Sequence, residues 1–133
     1  MSAKLSHIGI AVENLVQAIE VFSTILQRDP NEVEEIADQK VKMAIFSAGD
    51  CRIELLEGTS PGSAVSKFVA KRGPGIHHLS LQVDNLSGEL ERLKKAGIRL
   101  IDETPRAGAE GTSIAFAHPA STAGILIELQ QKR

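Results

Sequence analysis

Apolar and polar residues alternate with a period of two from about residue 5 to 12 and again from 76 to 83, the pattern of a half-buried β-strand. After each of these stretches the period lengthens to that of a helix. Leu15, Ile19, Phe22 and Leu26 form one apolar stripe, opened by Asn14 with Gln17 three residues on, a capping-box start. Leu86, Leu90 and Leu93 form another, with Gly97 placed to end it. Three further strands follow each helix, near 32–38, 41–48 and 51–57, then near 99–103, 112–117 and 125–130. The glutamates of 32–35 give the first of these the weakest strand propensity. Between the halves, Ser60-Pro61 opens a short helix with Val65, Phe68 and Val69 inward, stopped by Gly73-Pro74-Gly75.

The two halves are related in sequence. HIGIAVENL from His7 aligns without gaps on HLSLQVDNL from His78, 71 residues later. Ile53-Glu54-Leu55 returns as Ile127-Glu128-Leu129, 74 residues on. Two ordered agreements at nearly the same offset indicate a duplicated module. The chain therefore reads as an α+β protein of two tandem βαβββ modules, about 1–57 and 76–133, joined by the linker helix of 58–75 in a single domain over 1–133.

Composition narrows the function. At 133 residues the chain buries roughly two-thirds of its unfolded surface, enough for a sizeable core. Fifteen basic against 17 acidic residues leave a formal charge of -2, without the basic excess that phosphate contacts require. With no Trp or Tyr and four Phe there is no base-stacking platform, so no nucleic acid is expected as a partner. The longest apolar runs fall far short of the ~20 residues that span a bilayer. The start, Met1-Ser2-Ala3-Lys4, leads into a strand without a signal-peptide core, so a cytoplasmic protein with no membrane partner is expected. A single cysteine, Cys51, excludes an internal disulfide and a Cys-rich zinc site; its parity with Ile53 and Leu55 reads as a small buried hydrophobe.

Strand parity then sorts the side chains. Ile8, Ile10 and Val12 face the following helix, which leaves His7, Gly9 and Ala11 on the other side. In the second module Leu79, Leu81 and Val83 face the helix, and His78, Ser80 and Gln82 lie opposite. Glu54 and Glu128 point away from their apolar neighbours. A lone histidine near a strand start is usually a hydrogen-bonded structural group, and a lone strand glutamate is usually solvated. The duplication changes that weighing, because each module then offers one His and one Glu on the face its helix does not use. Pseudo-twofold pairing would converge His7, Glu54, His78 and Glu128 on one cavity. Two imidazoles and two carboxylates suit one divalent transition metal ion such as Co, Mn, Ni or Zn, with positions open to substrate. His77 falls on the helix-facing parity and reads as structural. His118, before Pro119 at a strand end, reads as a turn residue. Lys67, Lys71 and Arg72 read as a solvated helix face rather than a phosphate site. No phosphate-cradling glycine loop and no nucleophile elbow is present.

The chain resembles the vicinal-oxygen-chelate (glyoxalase–bleomycin-resistance) superfamily and, within it, the methylmalonyl-CoA epimerases. The resemblance is carried by LSHIGIAVENL at 5–15, RIELLEGTSPGS at 52–63, KRGPGIHHLSLQVD at 71–84, and RLIDETPRAGAEGTSIAFAHPAST through GILIELQQ at 99–131. It implies a curved-sheet cavity shared by the two modules and a homodimer. It implies an acyl-CoA substrate whose C2 is inverted between R and S thioesters. Metal ligands are implied at His7, Glu54, His78 and Glu128, and acid/base catalysis is implied at Glu128 and Glu54. Two positions depart from the family. Met43 stands where some members carry a second catalytic Glu on the third strand, so either Glu54, Glu128 or a bound water serves there or the two-base assignment does not transfer. Ala120 stands where a Lys is usual. A glyoxalase-like metalloenzyme acting on glutathione adducts is the alternative within the superfamily. A metal-free binding protein of the same fold is the alternative from another class. It is disfavoured by the scarcity of aromatic walls and by the cost of burying four polar groups without a metal.

Overall fold

The computed structural model describes residues 3–108 and 111–132. The chain divides into two compact units: His7–His77, and a C-terminal unit that joins the segment through Ser6 to the chain from His78 onward. In the first, strand β1 (Lys4–Ala11) passes through helix α1 (Leu15–Leu26), then strands β2 (Glu32–Ile36) and β3 (Val41–Ala48), to β4 (Cys51–Gly58). β4 runs parallel to β1, and the antiparallel β2 and β3 extend the order to β2-β3-β4-β1. Helix α2 (Ala64–Arg72) follows and belongs to this unit. The C-terminal unit repeats the plan with β5 (Gly75–Gln82), α3 (Leu86–Lys95), β6 (Arg106–Ala107), β7 (Thr112–Ala117) and β8 (Leu126–Lys132). Its order is β5-β8-β7-β6, and β5 and β8 are parallel.

The duplication extends to individual hydrogen bonds. Asn14 caps α1 by accepting the Gln17 N–H, and Asn85 caps α3 by accepting the Gly88 N–H. The Glu57 carboxylate accepts the Leu15 N–H at 2.6 Å, and the Gln131 amide accepts the Leu86 N–H at 2.7 Å. Val12 N–H donates to Leu56 and Val83 N–H to Gln130, both at 2.8 Å. Each helix start is thus tied to the strand that will lie parallel to the one it left.

Strand parity places the cores. Ile10, Val12, Ile53 and Leu55 pack with Phe46 under the α1 stripe of Leu15, Ile19, Phe22 and Leu26. Leu81, Val83 and Leu129 pack under Leu86, Leu90 and Leu93 of α3. Complete burial of a side chain such as Leu55 or Leu90 contributes about 1.5–3 kcal/mol. The other face of the first unit carries Ala11, Val41, Met43 and Leu56, covered by Val65, Phe68 and Val69 of α2. Those three α2 residues point inward as the sequence predicts.

Three expectations need correction. Residues 99–103 form no strand. Leu100 makes an isolated bridge to Ala117, and the Asp102 side chain accepts the Phe116 N–H at 2.9 Å, taking the place of a partner-strand carbonyl and ending the ladder. Pairing with β7 passes instead to Arg106–Ala107. The linker helix is capped by Ser63, not Ser60. Ser60–Ser63 close a turn, and Ser63 Oγ accepts the Ser66 N–H at 3.0 Å. Gly62, a poor helix former, stays outside the helix. Cys51 is half-buried at the β3–β4 turn, with its thiol 3.5 Å from the Ala48 carbonyl, because it begins the strand rather than lying within it.

No helix among the described residues is long and apolar enough to cross a membrane.

Candidate metal centre

His7 lies on β1 and Glu54 on β4, on the face that α1 does not cover. Their register is offset by two positions, since Gly9 is the residue opposite Glu54. Both are buried, at 5% and 7% exposure. His7 Nε2 stands 3.4 Å from Glu54 Oε1. Two donors ~2.1 Å from one ion at a tetrahedral angle stand roughly 3.4 Å apart, so this pair has the spacing of two ligands of one metal. Burial, with the Arg52 guanidinium as the lesser cause, pushes His7 down to about 4, which keeps the imidazole neutral near pH 7. Neutral imidazole is the ligating form.

Arg52 is a member of this site that the sequence reading did not single out. It shares strand and parity with Glu54, two residues away, and that parity was the available signal. Its Nη2 lies 3.2 Å from His7 Nδ1 and 3.2 Å from Glu54 Oε2. A guanidinium only donates, so Nδ1 accepts.

The C-terminal unit builds its half in the same way. His78 on β5 and Glu128 on β8 are buried, at 8% and 9% exposure. Ser80, fully buried and directly opposite Glu128 in the ladder, donates its hydroxyl to Glu128 Oε1 at 2.6 Å. Phe116, opposite Glu128 on β7, meets the His78 ring edge to face, with centroids 6.4 Å apart. The Arg106 guanidinium covers Phe116 at 5.4 Å and is held by Asp102 at 3.2 Å. Ser80 appeared in the sequence reading only as a residue on the His78 face. Phe116, Asp102 and Arg106 did not figure there, because their contacts depend on the route of 99–107.

All four sequence-predicted ligands are therefore buried polar residues, His7 and Glu54 in the first unit and His78 and Glu128 in the C-terminal unit. Within the first unit, His7 and Glu54 offer two donors that could hold a metal ion. The remaining histidines take structural parts. His77 packs against Phe68 of α2 at 5.0 Å, so the helix it meets is α2 rather than α3, and burial lowers its pKa. His118 Nδ1 accepts the Ala120 N–H at 2.9 Å in the turn after β7. Lys67, Lys71 and Arg72 are exposed, and Arg72 lies over Phe68 at 5.7 Å.

Known proteins are similar to this chain in sequence and fold. Residues 6–116 match the family described as Glyoxalase/Bleomycin resistance protein/Dioxygenase superfamily. The chain is 39% identical over 126 residues to the uncharacterized protein YqjC of Bacillus subtilis, covering 95% of this chain and 90% of that one. It is 32% identical over 130 residues to the mitochondrial methylmalonyl-CoA epimerase of Dictyostelium discoideum, covering 97% and 78%. The crystal structure of methylmalonyl-CoA epimerase from Mycobacterium tuberculosis superposes with a TM-score of 0.87 at 36% identity, over 97% of this chain and 87% of that one. With the duplicated βαβββ plan and the match along most of its length, the chain belongs to the glyoxalase/bleomycin resistance protein/dioxygenase superfamily, whose vicinal-oxygen-chelate fold it shares.

Proposed function

We propose that the chain is a metal-dependent epimerase that interconverts (R)- and (S)-methylmalonyl-CoA. The observation that supports this most is the pair of buried His/Glu half-sites in a chain similar along nearly its whole length to methylmalonyl-CoA epimerases. In this reading His7, Glu54, His78 and Glu128 hold one divalent ion of the Co, Mn, Ni or Zn type. A carboxylate and imidazole set with no thiolate suits such ions. When bound, the ion supplies Lewis acidity toward the substrate thioester and carboxylate oxygens.

The proton chemistry falls to the chain. Removing the C2 proton puts negative charge on the thioester oxygen as an enolate, and returning a proton on the other face inverts the centre. Glu128, oriented by Ser80, takes the proton on one face. Glu54, beside His7 on the neighbouring parallel strand, serves the other face. Each acid/base group is worth about 10²–10⁴ in rate. The buried surroundings of both carboxylates limit access of water to the transferred proton.

The test is solvent deuterium incorporation at C2 of methylmalonyl-CoA, measured before metal removal, after chelation, and after reloading with each ion. Exchange that vanishes on chelation and returns with a transition metal is expected. Full exchange in rigorously metal-free protein overturns the metal dependence, and absence of exchange in the loaded protein overturns the substrate.

A further inference from the structure

Arg52 occupies a position that is unusual for a neighbour of metal ligands. A ligating histidine ordinarily donates its second ring N–H to a carboxylate, a carbonyl or water, which fixes the tautomer that leaves the other nitrogen for the metal. Here the second nitrogen of His7, Nδ1, accepts from the Arg52 Nη2 at 3.2 Å. With Nδ1 acting as acceptor, the proton of the neutral ring sits on Nε2, the atom that stands 3.4 Å from Glu54 Oε1. The same Nη2 lies 3.2 Å from Glu54 Oε2. One guanidinium thus engages both side chains of the pair.

Other features show that the guanidinium is held there by charge rather than by a complete set of bonds. Arg52 Nε is buried and has no hydrogen-bond partner. The side chain is also 40% exposed, so a route into solvent is open, where Nε would regain a water. A dication beside Glu54 removes the attraction that holds Arg52 and adds like-charge repulsion.

We infer that Arg52 competes with the metal for the His7–Glu54 pair, so that loading the site displaces its guanidinium and frees Nδ1 to carry the ring proton. This rests on the metal-centre reading of the preceding section and adds to it a residue that lowers metal affinity. The atoms balance: the Nε2 proton goes to solvent, Nδ1 takes one from solvent, and Arg52 stays protonated throughout.

The experiment is titration of metal-stripped full-length protein with Co²⁺, followed by its visible absorption, for the wild type, Arg52→Gln and Arg52→Lys. Arg52→Gln is expected to bind Co²⁺ about 10- to 100-fold more tightly than the wild type, the size typical of neighbours of metal ligands but opposite in sign. Arg52→Lys, which keeps the charge, is expected to lie nearer the wild type. Equal or weaker binding by Arg52→Gln overturns the inference while leaving the metal centre intact. Failure of every protein to bind Co²⁺ overturns the metal centre itself. Nitrogen NMR of the metal-free wild type gives an independent reading. The His7 proton is expected on Nε2, and finding it on Nδ1 overturns the competition.

Discussion

Ser80 donates its hydroxyl to Glu128 Oε1 at 2.6 Å, across one rung of the parallel β5–β8 ladder, with both side chains buried. The bond fixes the carboxylate plane without neutralising its charge, as a hydroxyl beside a metal-binding carboxylate does. Ser80→Ala is therefore expected to lower metal affinity and epimerase activity about 10- to 100-fold. The small volume change should leave the fold intact. Metal titration and turnover measured on one preparation check this. A variant with wild-type affinity and rate would show that Glu128 is oriented by something else.

The histidines separate by partner. His7→Ala and His78→Ala should each abolish metal retention and turnover. His77 meets Phe68 instead, at 5.0 Å on the α2 side. His77→Ala should thus cost stability, about 0.5–1.5 kcal/mol for a lost aromatic pair, and leave most activity. Activity, bound metal and a denaturant midpoint for all three variants distinguish the cases. Equal loss of activity in all three, with the fold intact by circular dichroism, would contradict the strand register.

Gly58 marks a close approach of β4 to α2. A Cβ there would overlap the Ser63 and Ser66 hydroxyls and lie 2.9 Å from the Ser66 backbone nitrogen. The hydroxyls can rotate, but the backbone nitrogen cannot, so α2 would have to lift from Ala11, Val41 and Leu56. Gly58→Ala is expected to destabilise by about 1–3 kcal/mol. Gly75→Ala, where nothing lies within 4 Å of the added methyl, should be near neutral. Urea midpoints of the two variants make the comparison. Equal midpoints would mean that the helix has room to move.

The period-two stretches, the helix stripes and the asparagine caps are legible because each is written locally in residues 5–26 and 76–93. The four candidate ligands are legible because duplication marks His7 with His78 and Glu54 with Glu128, while parity sets them on the face opposite the helices. What escaped depends on side chains that override local propensity. Asp102 replaces a strand carbonyl and ends the ladder that 99–103 would otherwise join. Ser63 rather than Ser60 caps α2, because the turn before it holds Gly62. The glutamates of β2 look wrong for a strand yet pair along the length of β3, where an edge position tolerates charge. Arg52 was readable from parity alone. Its bonds to both His7 and Glu54 follow only from the β1–β4 register.

In the proposed mechanism Met43 leaves the proton chemistry to the two carboxylates Glu54 and Glu128. It is buried on β3 opposite Leu56, in the apolar cluster with Ala11, Val41 and Val65, and a thioether there cannot accept a proton. Glu54 is the carboxylate on the adjacent strand and the same face, opposite Ile45. A carboxylate bound to a cation is a poorer base than an unbound one, but coordination through one oxygen leaves the second able to meet a substrate proton. Glu128→Gln is thus expected to keep metal, weakly, to lose epimerisation by about 10²–10⁴, and to exchange only the C2 proton of the epimer that faces Glu54. Glu54→Gln, whose amide oxygen can still coordinate, should lose epimerisation by a similar factor. It should still exchange the C2 proton of one epimer, because Glu128 remains on that face. Proton NMR of each epimer in heavy water, with metal content measured on the same samples, separates the two roles. A metal-loaded Glu128→Gln protein that exchanges both epimers at the wild-type rate would reduce Glu128 to a ligand. A Glu54→Gln protein that exchanges both epimers equally would place the second acid/base outside the His7–Glu54 pair.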